Sequence, residues 1–152
     1  MHDLFVFATI TRQKFAQLVD SLTIEQLNTI PAHFNNNIAW HLGHIVVSTE
    51  ILCYHRTGVQ PERSIEWMDK YKNGSKPEGL ITAAEIDLLK DRLQRSLEEI
   101  RSDYDHGVFK TIKPYQTMTF GFVMDNMETV LECCSHHDLL HLGNVSAMRK
   151  LV

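Results

Sequence analysis

Two histidines near the C-terminus, His137 and His141, stand four residues apart in the stretch CCSHHDLLHLGNVSAMRKL. Side chains four apart on a helix lie one above the other, with roughly 5–6 Å between their Cβ atoms, so both imidazoles could bind one ion. Both fall on an apolar stripe with Cys134 and Val145, where a half-buried imidazole needs a partner for each ring nitrogen. The spacing predicts two ligands of a metal site; a pair of packing histidines is the alternative.

A third ligand would have to come from another helix, because protein zinc sites use three or four side chains. The stretch NNIAWHLGHIVVSTE offers His41 and His44, and His44 shares an apolar face that includes Trp40. Helical bundles build metal sites in this way, from side chains on facing helices. Three imidazoles on a tetrahedral ion leave one position open, which is typical of catalytic zinc.

An open position on such an ion would support two kinds of chemistry. The ion lowers the pKa of a bound water to about 7, which makes hydroxide available for hydrolysis, or holds a thiol as the thiolate that attacks an electrophile. Imidazole suits zinc, nickel, copper and iron alike. No general base stands out. Asp138 follows His137 directly, about 100° around the helix, and is expected to orient a neighbouring imidazole.

Four amphipathic helices are predicted to carry these residues. Their predicted bounds are about Leu4 to Leu22, Ile38 to Arg56, Thr82 to Tyr104 and Phe122 to Leu151. The asparagines at 35–37 and the capping box at 82–85 are typical helix starts. No alternating strand pattern appears. The predicted fold is therefore all-α, a four-helix bundle with a long connection between helices 2 and 3.

The connection, residues 58–80, is polar and irregular, and connections of this length are uncommon unless they have a function. Trp67 within it predicts a lid, a substrate contact or a dimer contact, although it could simply fix the loop to the bundle. Trp40 and Cys134 are more typical of packing. Together with Trp67, these two residues are nevertheless the candidates for a substrate pocket.

Composition excludes several classes of protein. A chain of 152 residues, 43% hydrophobic and 22% charged, is expected to form one globular domain, residues 1–152. The net charge of -4 is spread along the chain, which argues against nucleic acid as a partner. No segment has the apolar length of a membrane span. Three cysteines without a CxxC pair argue against a disulfide framework, so a cytoplasmic location is expected.

Two motifs resemble those of the DinB-like family. NNIAWHLGHIVVSTE has the Trp, three residues and ligand His of the family pattern, and HDLLHLGNVSAMRKL has its His, three residues and His, followed by Gly and Arg. The resemblance extends over essentially the whole chain and implies that His44, His137 and His141 are the ligands. His41, Asp138 and Asn144 are then expected beside the ligands, although Asn144 replaces the family's usual Gln.

The resemblance also implies a function. Family members hold a divalent ion, usually zinc or nickel, often in a homodimer, and some are transferases that use low-molecular-weight bacterial thiols. The function expected first is therefore a thiol-dependent S-transferase acting on small electrophilic molecules. A metal-dependent hydrolase and a non-catalytic, metal-stabilised dimeric bundle are the alternatives.

Overall fold

The protein is all-α, as predicted, apart from one small hairpin that was not predicted. The computed structural model describes residues 2–152, and the side chains of residues 3–152. The helices are α1 (His2–Asp20), α2 (Ile24–Asn28), α3 (Ile38–Glu50), α4 (Met68–Tyr71), α5 (Ala83–Asp105) and α6 (Met127–Met148). Strands β1 (Tyr115–Gln116) and β2 (Val123–Met124) pair antiparallel, and a π-helical segment, Ile51–Arg56, continues α3.

The four longest helices form the predicted bundle. Helix α1 packs against α5 and α6, and α3 packs against the same two helices. Every residue of α3 is buried, because the short helices α2 and α4 also pack on it. Helix α3 is thus enclosed on all sides, and a polar side chain on it needs a partner inside the protein.

Capping residues set the helix starts. The side chain of Asn37 accepts from the backbone N–H of Trp40 (2.8 Å), and that of Thr82 accepts from Glu85 (3.2 Å), which confirms both predicted starts. Helix α6 begins about five residues later than predicted. The reason is that residues 123–124 pair with β1, so the helix starts only after its cap, Asn126.

A buried arginine joins the four helices of the bundle. Arg12 of α1 is 1% exposed. Its guanidinium donates to Asp138 of α6 (2.7 Å), to the Leu93 carbonyl of α5 (2.7 Å) and to Thr49 of α3 (2.7 Å). An isolated buried charge is very costly, so this set of partners fixes how the helices are placed around Arg12.

The long connection is partly buried, which a polar surface loop would not be. Tyr71, at the end of α4, is fully buried, and its ring fills the space beside Gly43 of α3. Trp67 is half-buried and packs against the core. These contacts hold residues 58–80 against the face of α3 that carries His44. None of the helices in the described part of the chain is long and apolar enough to cross a membrane.

Candidate metal centre

The three predicted ligands lie together between α3 and α6. One ring nitrogen from each of His44, His137 and His141 lies within 4.8 Å of the others. The Nε2 atoms of His137 and His141 are 3.1 Å apart. Two nitrogens on a tetrahedral zinc with bonds of 2.0–2.1 Å would be about 3.3 Å apart. The His137–His141 pair therefore already has the spacing of two ligands on one ion, and a nitrogen of His44 lies within 4.8 Å of both.

The ring of His44 is oriented by two neighbours. Its Nδ1 donates to the backbone carbonyl of Tyr71 (2.8 Å). The indole of Trp40 stacks on it with 4.5 Å between ring centroids and 12° between planes. Because a carbonyl only accepts, Nδ1 carries the proton and Nε2 keeps a lone pair for an ion. The hydroxyl of Ser48 also lies 3.3 Å from Nε2.

A fourth histidine supports the site from outside. The Nδ1 atoms of His41 and His141 are 2.7 Å apart, and His41 is buried. This contact occupies Nδ1 of His141, which leaves its Nε2 towards His137. Metal-bound histidines usually have such a partner on the second ring nitrogen. The position suits the role expected of His41 beside the ligands.

Burial keeps these imidazoles uncharged. Desolvation is the main cause that lowers the pKa of His41 to about 4, of His137 to about 3 and of His141 to about 2. It also lowers the pKa of His44, opposed in part by the Tyr71 carbonyl. Neighbouring imidazoles lower the pKa of His141 further, since one charged ring would repel the next. At neutral pH the ligands can bind an ion without losing a proton.

The site opens into a pocket of about 190 Å³, which His44 and His137 line. Other lining residues include Ser48, Arg56, Asn73, Thr119, Phe120 and Cys133. Small molecules can thus reach the ligand cluster. Three neutral nitrogen donors beside an open pocket form a site suited to a divalent ion with room for a further ligand.

Some of the expected neighbours lie elsewhere. Asp138, expected to orient an imidazole, is instead paired with Arg12, since one step along α6 turns it towards α1. Burial raises the pKa of Asp138, and the Arg12 guanidinium opposes that rise. Asn144 is exposed on α6. Its side chain is directed to solvent and not to the ligand cluster.

The three residues expected in the substrate pocket, Trp40, Trp67 and Cys134, do not line the pocket beside the histidines. Cys134 is turned away from the pocket, with its Sγ 3.9 Å from that of Cys53. Trp67 packs on the core, which is the alternative considered for it. Trp40 touches the site through its stack on His44, and its Nε1 donates to Ser75 (3.0 Å).

Sequence reasoning found only His44 and His137 among the pocket residues and missed the others, including Ser48, Arg56 and Cys133. Ser48 follows His44 by four residues and Cys133 precedes His137 by four, so the signal used for the histidine pair was present. Burial raises the pKa of the Cys133 thiol to about 11. Cys133 is therefore a neutral thiol at neutral pH and a poor nucleophile.

A family model and a solved structure are similar to this chain. Residues 8–145 match the model of the DinB superfamily. The crystal structure of the conserved protein of locus from Enterococcus faecalis is similar over 99% of this chain and 95% of that one, with a TM-score of 0.65. At 15% identity that likeness concerns the fold alone. A search among curated proteins finds no match. The chain belongs to the DinB superfamily.

Proposed function

We propose that the protein is a metal-dependent, thiol-dependent S-transferase that acts on small electrophilic molecules. The observation that carries the proposal is the convergence of three neutral histidines, His44, His137 and His141, beside an open pocket. A divalent ion held there, zinc or nickel, would supply a Lewis acid that favours the thiolate form of a bound thiol. The remaining contributions come from side chains of this chain.

The proposed reaction is a substitution in which atoms and charge balance. The sulfur of the thiol forms a bond to the electrophilic carbon, and the leaving group departs with the electron pair of the bond that breaks. The thiol proton passes to solvent. The products are a thioether and the released leaving group, and no oxidant or reductant is needed.

The side chains around the pocket favour an external thiol as the nucleophile. Cys133 is kept protonated by its raised pKa, so the protein's own thiol in the pocket is a weak candidate. Metal-dependent hydrolases of the HExxH type use a carboxylate as general base. No carboxylate lines this pocket within residues 3–152. A thiol loses its proton much more readily than water does, so the thiol reaction depends less on a general base and therefore ranks above hydrolysis.

A homodimer is part of the proposal. Two neighbouring helices, α1 and α6, each carry exposed apolar side chains. They are Val6, Phe7 and Ile10 on α1, and Leu139 and Leu140 on α6, all more than 40% exposed. Pairing of these side chains with those of a second copy would remove them from water. The same surface also fits the alternative of a non-catalytic dimeric bundle, in which the ion joins α3 to α6.

The first test is metal content. We would measure zinc and nickel by elemental mass spectrometry in untagged protein, for the wild type, His44→Ala and His136→Ala. About one equivalent is expected in the wild type and much less in His44→Ala. His136 is exposed on α6, so His136→Ala should keep the metal. Absence of metal from the wild type, even after incubation with either ion, would mean that the histidines are packing residues.

The second test is turnover. The metal-loaded protein is assayed with several low-molecular-weight thiols and a small alkyl halide, with thioether formation as the readout. The transferase is supported if the wild type forms a thioether only when thiol is present and His137→Ala forms none. If no thiol gives product, the transferase proposal is wrong. Hydrolysis of activated esters without added thiol would then favour the hydrolase. Inactivity in both assays would favour the non-catalytic bundle.

A further inference from the structure

The pocket beside the histidines carries one positive side chain. Arg56 is the only lining residue within the described chain that is ionised at neutral pH, because burial keeps His44 and His137 neutral and the rest are uncharged. An anionic ligand would therefore meet a cation and no repelling acid in this pocket.

The guanidinium of Arg56 contacts β1 through only one of its nitrogen atoms. Its Nη2 donates to the backbone carbonyl of Gln116 (3.0 Å), and its Cζ lies 5.1 Å from the centre of the Tyr115 ring. No other hydrogen bond of Arg56 is formed within residues 3–152 of the structure. Arg56 is exposed, so Nε and Nη1 remain open to a ligand while Nη2 is bound to β1, and a planar guanidinium suits an oxyanion.

The two buried acids in the described chain, Glu50 and Asp138, are engaged elsewhere. Glu50 accepts from Arg63 (3.3 Å) and Arg92 (2.9 Å), and Asp138 accepts from Arg12. Three neutral imidazoles bring no negative charge to a divalent ion. The metal-loaded pocket would therefore carry uncompensated positive charge at both the ion and Arg56.

The two positive centres are separated along one helical run. Arg56 follows His44 by twelve residues through α3 and the π-helical segment, so their Cα atoms are separated by less than the roughly 18 Å of an ideal α-helix, because a π-helix rises less per residue. Both side chains reach into the same pocket. A ligand that contacts both would bind the ion with one atom and Arg56 with an anionic group elsewhere on the molecule.

We propose that Arg56 determines specificity by binding an oxyanion group, carboxylate or phosphate, at the far end of the thiol substrate. The inference rests on the proposed function and names its substrate class, an extended anionic thiol. Arg56 would contact the substrate without contacting the reacting sulfur.

The test compares matched thiols on metal-loaded protein. Glutathione is paired with its diethyl ester, which lacks both carboxylates, and phosphopantetheine with pantetheine, which lacks the phosphate. Dissociation constants are measured by calorimetry for the wild type, Arg56→Gln, Arg56→Lys and the control Arg95→Gln. Arg95 lies on the exposed side of α5, paired with Asp91. In parallel, the visible absorption of Co²⁺-loaded protein reports whether each thiol reaches the ion.

We expect the anionic member of one pair to bind about tenfold more tightly to the wild type and to Arg95→Gln, as for a charge-assisted pair. The pair that shows the difference identifies carboxylate or phosphate. In Arg56→Gln the difference should fall below twofold, and Arg56→Lys should keep part of it. If the Gln variant unfolds, the Lys variant decides, because loss of the planar donor pair should reduce the preference at least threefold.

Equal binding within both pairs, or a preference that survives in Arg56→Gln, would overturn the inference while leaving the proposed function in place. A Co²⁺ spectrum that no thiol changes would overturn the proposed thiol chemistry itself. The two failures are distinguishable, because the first concerns the anionic group and the second concerns the sulfur.

Discussion

His41 and His141 face each other through their Nδ1 atoms, 2.7 Å apart, in the buried space between α3 and α6. One of the two nitrogens must donate to the other. If His141 binds an ion through Nε2, its Nδ1 carries the proton and His41 accepts it. His41 would then set both the tautomer and the ring angle of a ligand without binding the ion.

Replacement of His41 by Phe should therefore weaken metal binding without removing a ligand. The expected loss of affinity is about 10- to 100-fold, the range seen when partners of metal ligands are removed. Competition with a chromophoric chelator measures it, with His136→Ala as the control. Unchanged affinity in His41→Phe would show that the contact has no role in binding.

Gly43→Ala should damage both the fold and the site. An added Cβ would lie 2.5 Å from the ring of Tyr71, so the ring and the carbonyl that holds His44 would have to move. We expect a loss of about 1–3 kcal/mol in the free energy of unfolding, as for overpacked cores, measured by urea denaturation.

Gly143→Ala is the matched control. Gly143 lies within α6 with nothing inside 4 Å of an added Cβ, and alanine favours helix over glycine by up to about 1 kcal/mol. Gly143→Ala should therefore be neutral or stabilising. Equal effects at the two glycines would contradict the close approach of Tyr71 to α3.

Replacing only one partner of the buried pair Arg12–Asp138 should lower the free energy of unfolding strongly. Arg12→Met leaves the Asp138 carboxylate buried without its cation, and the expected loss is about 3–5 kcal/mol. The double variant Arg12→Met, Asp138→Leu should recover part of that loss, because neither charge then remains. Arg95→Ala, which breaks an exposed pair on α5, should cost less than about 1 kcal/mol. A double variant no more stable than Arg12→Met would contradict this account.

The metal-free protein should lose stability in mild acid. The pKa values of His41, His137 and His141 are lowered in the fold to about 4, 3 and 2, from about 6.5 in an unfolded chain. Below pH 6.5 the unfolded chain therefore binds more protons than the folded one, and the free energy of unfolding falls as pH decreases towards those values.

Urea denaturation in the presence of a chelator, from pH 8 to pH 5, measures this dependence. The loss should be on the order of 1–2 kcal/mol at pH 5 for each histidine that remains neutral in the fold. The double variant His137→Gln, His141→Gln should show a flatter profile. A profile as steep as that of the wild type would assign the acid sensitivity to other groups.

Much of the architecture was predictable because it depends on local signals. Asn37 and Thr82 act as caps where the sequence places them, and the stripe on α5 is the buried one. The clustering of His44 with His137 and His141 followed from helix periodicity together with the family motifs. Their role as ligands stays a prediction that the metal measurement tests.

The rest depends on helix rotation and on contacts between distant segments. Whether Cys133 or Cys134 faces the pocket is decided by the rotation of α6 about its axis, and both lie about one turn from His137. The partner of Asp138 is 126 residues away. The burial of Tyr71 depends on Gly43, a glycine whose lack of a side chain makes room for a ring from another segment.

Tyr71 also makes the connection a part of the site. Its ring is seated on α3, and its carbonyl holds His44, so the segment 58–80 supports one ligand from outside the bundle. If this segment lifts, His44 loses that support while the four helices stay packed. Exchange of the bound ion with solution would then follow local opening of the connection, and its rate could be far faster than that of global unfolding.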